Sequence, residues 1–285
     1  MTGQKKSYPD DHWLKNGDPA KVLEFYMDQQ SKAYSRIKNA FIRELAGDLR
    51  GKRVLDYGCG AGFFTAYASR QGAAAVVAVD AEETALAAAR LLVDQEGVSS
   101  AGTFIRSDHF PLLAERTRFD LVLLKDVIEH VDDDESLIAA AAAALIPGGK
   151  LVLSTQNALS LNYLIEGSYN RLWLGNRDWM GWDSTHVRFY TPMTLGKKLR
   201  RAGLRHFSWR SVYLIPYKLP GLPGSGRQFL RLDALALVDR LLGSIFPYNR
   251  LGWNILVRAH ASPLVPSRVR VARPVHGELA SAPVL

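Results

Sequence analysis

The sequence predicts an α/β fold: a doubly wound, mostly parallel sheet of seven strands, with an N-terminal helix before it and a C-terminal lid or insert. Three observations predict it. Short apolar runs alternate with amphipathic helical stretches between residues 53 and 154, the rhythm of a sheet covered on both faces. The first run enters a glycine-rich turn, Val54-Leu55-Asp56-Tyr57-Gly58-Cys59-Gly60-Ala61-Gly62. The second run ends in an acid, Asp80.

Residues 1–17 are polar and read as a flexible N-terminus. From Asp18 to about Leu49, Val22, Phe25, Tyr26, Ile37, Phe41, Ile42 and Leu45 recur at helical spacing. Asp18 before Pro19 is a good N-cap and first-turn pair. Arg53–Tyr57 is a strand and Phe63–Ser69 a helix; Ala75–Val79 is a strand and Glu82–Asp94 a helix. Thr103–Arg106 and Asp120–Leu124 are strands. Glu135–Leu145 is an alanine-rich helix stopped by Pro147-Gly148-Gly149, and Lys150–Ser154 is the next strand. Residues 156–190 carry no regular period; they hold Asn, Gly and the aromatics Tyr163, Tyr169, Trp173, Trp179 and Trp182. A helix follows from Pro192 to about Ala202, then strand His206–Tyr213, a Pro- and Gly-rich loop at 216–229, a helix Leu230–Phe246 and a last strand Trp253–Ala259. The tail, 260–285, has scattered Pro, Ser and Arg and reads as disordered. One domain, residues 18–259, results, with 156–190 and 214–250 as its lid and insert.

Composition sets the class. The chain has 285 residues, 47% apolar and 22% charged, which is ordinary globular usage. No apolar run approaches the roughly 20 residues of a membrane span, and the first residues lack the apolar core of a signal peptide. The single cysteine excludes an internal disulfide and any cysteine-cluster metal site. A cytoplasmic setting is expected, with contact at a membrane periphery left open. The net charge is +8, unevenly spread. Between Ser184 and Leu232 there are ten basic residues and no acid, so the remainder of the chain nets −2. Such a stretch invites an anionic partner or forms a solvated face.

In the turn, glycines allow close backbone approach to a ligand, and the following helix offers N–H groups. The spacing is Gly-x-Gly-x-Gly, with Phe63 where a dinucleotide fingerprint would have its third glycine. Asp56 stands before the first glycine, where a carboxylate would repel a phosphate and attract an ammonium. Asp80 comes 24 residues later, placed to accept ribose hydroxyls. The implied ligand has a ribose and a cationic amino group and no pyrophosphate.

These segments resemble the motifs of class I S-adenosylmethionine-dependent methyltransferases over roughly residues 35–213. Ser107-Asp108-His109, Phe119-Asp120-Leu121-Val122 and Leu145-Ile146-Pro147-Gly148-Gly149-Lys150-Leu151 complete the likeness. The resemblance implies a Rossmann-like fold and S-adenosyl-L-methionine as cofactor. It assigns Gly58, Cys59, Gly60 and Gly62 to the cofactor's path and Asp56 to its amino group. Asp80 and the adjacent Ala81 would meet the ribose, Asp108 and His109 the adenine, with Lys125 at the end of the fourth strand.

Lys125-Asp126-Val127-Ile128-Glu129-His130-Val131 puts an acid, an acid and a histidine at i, i+3 and i+4. On one helical turn they would share a face. Two carboxylates and an imidazole suit Mg²⁺ or Mn²⁺, with His186 of Thr185-His186-Val187-Arg188 as a further ligand. The segments resemble those of ubiquinone-type O-methyltransferases and of small-RNA 2′-O-methyltransferases, although Asp stands at the first position. The metal set read here is Asp126, Glu129, His130 and His186, and the catalytic set His130, Glu129 and His186. A metal-free pocket histidine or a purely structural turn is the competing reading.

The expected activity is methyl transfer to a hydroxyl of a small aromatic or lipid-like metabolite, with the lid aromatics facing the acceptor. The alternatives are an RNA 2′-O-methyltransferase, a membrane-associated lipid methyltransferase and a cofactor-binding regulatory protein. No RNA-binding module is recognisable, so nucleic acid is the less favoured partner and a small anionic or apolar acceptor the favoured one.

Overall fold

A computed structural model describes residues 16–98, 102–107, 118–177, 179, 185–215, 218–220, 229–231 and 233–262. Asp108, His109, Trp182 and the tail beyond Ser262 lie outside them.

The predicted N-terminal helix is two. α1 (Pro19–Ser31) starts at Asp18, whose side chain accepts the Ala20 N–H at 2.9 Å. It stops because the Ser31 hydroxyl donates to the Asp28 carbonyl at 2.7 Å, the acceptor that Lys32 would need. Lys32 turns extended, and α2 (Ala33–Ala46) begins on a new axis.

Seven strands follow in one sheet: β1 (Arg53–Tyr57), β2 (Ala75–Asp80), β3 (Gly102–Arg106), β4 (Phe119–Lys125), β5 (Leu145–Gln156), β6 (Leu204–Val212) and, after the short hairpin of β7 (Lys218–Pro220) and β8 (Phe229–Arg231), β9 (Asn254–Ala261). Their order is β3-β2-β1-β4-β5-β9-β6, with only β9 antiparallel to its neighbours. Successive residues feed opposite faces. Val54, Leu121, Leu123 and Val152 pack under α2 and α3 (Phe63–Arg70). Leu55, Val122, Leu124, Leu151 and Leu153 pack under α5 (Asp134–Ala143) and α7 (Pro192–Arg201). With both faces covered, the strands are apolar throughout. α4 (Glu83–Gln95) lies over β2 and β3 and receives α1.

Three boundaries differ from the sequence reading. Pro147-Gly148-Gly149 does not stop α5, which already ends at Ala143. It forms a bulge inside β5, where Leu145 pairs with Phe119 and Lys150 next with Leu121. A Cβ on Gly149 would come within 2.9 Å of the Ile146 carbonyl oxygen, so the bulge needs glycine there. The region 156–190 contains a helix, α6 (Leu161–Ser168), capped by Ser160 and continued by a π-turn, Tyr169–Trp173. The π-turn forms where the Asn170 and Arg171 side chains donate to the carbonyls of Glu166 and Gly167. The long helix expected over 230–246 shortens to α8 (Ala236–Leu242).

Gly62 shows what fixes the α3–α4 contact. Its φ is +81°, and a Cβ would lie 2.7 Å from the Ala89 Cβ on α4. Gly62→Ala should therefore destabilise the protein by about 2–4 kcal/mol, combining left-handed strain with overpacking. Urea unfolding measures it, and a loss under about 0.5 kcal/mol would show that α4 simply moves aside.

Candidate active site

The turn after β1 is tied to β2 rather than left open. The N–H groups of Gly58 and Cys59 both donate to the Val79 carbonyl, at 2.8 and 3.0 Å. These two N–H groups are therefore committed to the sheet, while the helix that follows the turn begins at Phe63. The Gly60 N–H donates to Asp80 Oδ2 at 2.8 Å, and the Glu82 N–H to Oδ1 at 3.0 Å. Asp80 thus holds the turn and faces the same crevice. Its pKa is raised by burial, with these two N–H groups opposing the rise.

Asp56 is buried, and its Oδ2 accepts from the Thr65 hydroxyl at 2.7 Å. Burial pushes its pKa up to about 6, against the pull of Thr65 and of the Lys125 ammonium. Lys125 ends β4, with its Nζ 5.9 Å from the Tyr26 ring and 5.8 Å from that of Phe64. Burial brings it down to about 8, partly offset by Asp126. Tyr26 reaches over from α1, and a Cβ on Gly60 would touch its ring at 3.4 Å. Cys59 is buried inside the turn, and burial pushes its thiol up, as expected of a small filler residue rather than a nucleophile.

Asp126 departs most from expectation. Its φ of +55° turns the chain sharply at the end of β4, and its carboxylate leaves the Glu129–His130 face. It lies 2.5 and 2.6 Å from Lys38 Nζ on α2 and accepts from Ser154 Oγ (3.0 Å) and Asn254 Nδ2 (3.2 Å). Lys38 is 4% exposed. Burial works against the Asp126 charge, yet Lys38 and Lys125 hold its carboxyl far below the ordinary carboxylate range. The metal set is corrected accordingly: Asp126 is committed to Lys38 and is no ligand beside the histidines.

The other three members do meet. Val127 separates Asp126 from a 3-10 turn, Ile128–His130. The ligand atoms of Glu129, His130 and His186 all lie within 4.8 Å of one another. Glu129 is fully buried; Thr155 Oγ1 donates to Oε2 at 2.9 Å, while Oε1 is buried without a hydrogen bond. Burial, then the Asp126 charge, raise its pKa to about 8. His130 Nδ1 stands 3.0 Å from the Thr185 hydroxyl and 3.4 Å from the Thr185 carbonyl. Both oxygens of Thr185 thus meet the ring at Nδ1 and fix its orientation.

The segment bearing His186 is latched down. The Val187 N–H donates to the Glu129 carbonyl at 2.8 Å. Asp134, at the start of α5, accepts from Arg188 (2.5 Å), Lys198 (3.0 Å) and the Tyr190 hydroxyl (2.7 Å). Beside His186 the rings of Phe189, Tyr163, Trp179 and Trp253 form one cluster, with neighbouring centroids 4.6–6.2 Å apart. Among the described residues, four of the ten cations of the basic stretch are paired within the fold. Arg188 and Lys198 pair with Asp134, Lys198 and Arg201 with Glu135, and Arg210 with Glu44.

A glycine turn bound to a second-strand acid, with an acid–histidine turn after β4, lies outside the carboxyl ends of the strands. The methyltransferase-domain family profile matches residues 29–208. The chain belongs to this methyltransferase family. It is an S-adenosylmethionine-dependent methyltransferase. The ubiquinone biosynthesis O-methyltransferase of Cereibacter sphaeroides (strain ATCC 17025) is 34% identical over 176 residues, 59% of this chain and 67% of that one. That of Acinetobacter baylyi is 32% identical over 210 residues, 67% of this chain and 83% of that one. Among solved structures, S-adenosylmethionine-dependent methyltransferases from Mesorhizobium loti (TM-score 0.51, 22% identity, 81% of this chain, 99% of that one) and Archaeoglobus fulgidus (TM-score 0.53, 18% identity, 83% and 99%) share the fold. No helix among the described residues of the methyltransferase is long and apolar enough to cross a membrane.

Lys38, Tyr26, Thr65, Thr155 and Thr185 were not legible as site residues. Only Lys38 left a signal: it sits three, four and seven residues before Phe41, Ile42 and Leu45, a charge on the apolar face of α2. Replacing it should matter. Lys38→Met should cost about 3 kcal/mol by stranding Asp126, and Asp126→Asn in the same chain should recover much of it. Urea unfolding of both variants tests this; a double variant no more stable than Lys38→Met would show that the pair is not the cause. The stability carried by Asp126 is full above about pH 4 and fades as pH falls further, because its folded-state pKa is lowered.

Proposed function

We propose that the enzyme methylates a hydroxyl oxygen of a small aromatic or lipid-like acceptor, with His130 removing the acceptor's proton. The observation that carries this reading is the Glu129–His130–His186 cluster beside the ring cluster of Phe189, Tyr163, Trp179 and Trp253. A proton acceptor stands next to an aromatic wall, on the carboxyl side of the sheet. That relatives at 32–34% identity carry the name O-methyltransferase supports oxygen as the accepting atom.

S-adenosyl-L-methionine, when bound, supplies an activated methyl on its sulfonium. The residues present fit it. Asp56 offers a buried carboxylate toward the amino group, and Lys125 a cation toward the carboxylate. Asp80 holds its carboxylate, already anchored by Gly60 and Glu82, toward the ribose, with Ala81 beside it. Tyr26 closes the outer side of the turn. Asp108 and His109 remain the proposed adenine contacts. The chain's own work is then alignment and deprotonation. The ring cluster holds the acceptor, His130 Nε2 takes its proton, and Thr185 fixes the ring's orientation at Nδ1.

With His130 Nε2 as a ligand in place of a base, and Glu129 deprotonated by the ion, Glu129, His130 and His186 would fit a divalent cation. One carboxylate with two imidazoles suits Mn²⁺, which takes nitrogen ligands more readily, better than Mg²⁺. Such an ion would orient the acceptor hydroxyl and lower its pKa.

Incubation with methyl-labelled cofactor and a panel of phenols and catechols, read by mass spectrometry, tests the reaction. Labelled ethers are expected, and label only on nitrogen or carbon would overturn the reading. His130→Ala should lower kcat by about 10²–10⁴ and leave the cofactor Kd unchanged; unaltered turnover would remove His130 from the chemistry. Treatment with a chelator, then Mn²⁺, should abolish and restore activity if the cation acts.

Cofactor affinity should depend on pH through Asp56. Bound ammonium favours the ionised carboxylate, so affinity should rise with pH up to about 6 and then hold until Lys125 loses its proton near 8. Calorimetric titration of wild type and Asp56→Asn checks this, the variant giving a flat and weaker profile. A wild-type profile already flat below pH 6 would place Asp56 outside ammonium recognition.

A further inference from the structure

A cavity of about 490 Å³ opens away from the site just described and shares none of its residues. Its walls come from the start of α7 (Met193), the edge strand β6 (Phe207, Trp209) and the segment before β9 (Phe246). Two arginines complete it, each beside an aromatic ring. The Arg200 guanidinium carbon lies 5.4 Å from the Phe207 ring centroid; that of Arg250 lies 5.9 Å from the Trp209 ring and 5.3 Å from Phe246. The Phe207 and Trp209 centroids are 6.3 Å apart, so the two rings make one wall and both cations overlook it. A guanidinium held over a ring keeps its N–H edge for an acceptor.

Among the described residues no acid lines the cavity and neither arginine has an ion pair, whereas Arg188, Lys198, Arg201 and Arg210 each meet an acid. Two unneutralised guanidiniums over one cavity call for an anion, and their planar forks suit an oxyanion, a carboxylate or a phosphate. The remaining wall is apolar and its rim is open: Met193 is 65% and Phe246 69% accessible. A bare inorganic anion would leave those surfaces wet, and an uncharged hydrocarbon would leave the arginines unanswered. The ligand that answers both carries an oxyanion on an apolar body. A flat ring suits that body better than an alkyl chain. It stacks against Phe207, Trp209 and Phe246, and being rigid it loses little freedom on binding. The volume falls within the roughly 300–1,000 Å³ of small-molecule sites.

We propose that this cavity, formed where α7, β6 and the segment 246–251 meet, is a second ligand site that takes a small soluble arene bearing a carboxylate or phosphate group. The inference is independent of the acceptor and of the proton-accepting residue. Calorimetric titration of the full chain tests it, with naphthoate and naphthyl phosphate as probes and naphthamide as the uncharged control. At least one of the anions should bind with a Kd below about 1 mM, and the tighter of the two identifies the oxyanion. Naphthamide should bind roughly tenfold or more weakly than that anion. Arg200→Gln with Arg250→Gln should weaken the anion roughly tenfold or more, and Phe246→Ser should weaken it by a smaller factor. All three positions lie outside the cofactor crevice, so cofactor Kd and thermal midpoint should stay at the wild-type value. If the double variant loses its thermal transition, each single variant substitutes for it, with a severalfold loss expected. Failure of both anions to bind, naphthamide binding as tightly as they do, arginine variants that bind them like wild type, or inorganic phosphate binding as tightly as the naphthyl anions would each overturn the proposal.

Discussion

The Lys38–Asp126 pair is the interaction on which the site depends. It joins α2 to the end of β4, and Ser154 and Asn254 bring β5 and β9 to the same carboxylate. Four elements distant in sequence therefore converge on one side chain. Bringing two charges out of water is expensive, and the left-handed backbone at Asp126 adds strain. The expense is met by the number of donors around the carboxylate. The pair also acts on the electrostatics nearby: burial raises the pKa of Glu129 and Asp126 adds to it, while burial lowers that of Lys125 and Asp126 partly offsets it.

The sheet was legible because its strands and helices obey simple periods. Val54 and Leu55, or Leu123 and Leu124, are apolar together because both faces are covered, and such runs bounded by helical stretches have few other solutions. The bulge at Pro147-Gly148-Gly149 was not legible, since proline and glycine punctuate a helix end and a bulge alike. The helix α6 was missed because its apolar side chains are exposed rather than set against polar ones; Leu161, Leu164 and Ile165 are all half-accessible, so no amphipathic stripe marks it.

Asp56 and Asp80 were recognisable by position, each standing near a strand's carboxyl end beside a turn. Glu129, His130 and His186 were recognisable by residue type and spacing. Asp126 was misplaced for a physical reason: i, i+3, i+4 logic assumes a continuous helical turn, whereas the positive φ at Asp126 interrupts it. Part of the basic surplus between 184 and 232, namely Arg188, Lys198, Arg201 and Arg210, is answered inside the fold. Charge counting sees no acids within that window, but the partners Glu44, Asp134 and Glu135 lie far upstream in the chain. Long-range pairing of this kind leaves no local signature.

The latch around Asp134 bears on when the Glu129–His130–His186 cluster comes into being. Glu129 and His130 sit on a tight turn after β4, and His186 arrives from more than fifty residues downstream, held by Arg188, Tyr190 and the Val187 amide. Closing so long a loop is entropically costly, and contacts of that separation form late. The strands and glycine turn that receive the cofactor precede it in the chain. The cluster therefore exists only where the chain around residues 185–190 is docked against the turn after β4.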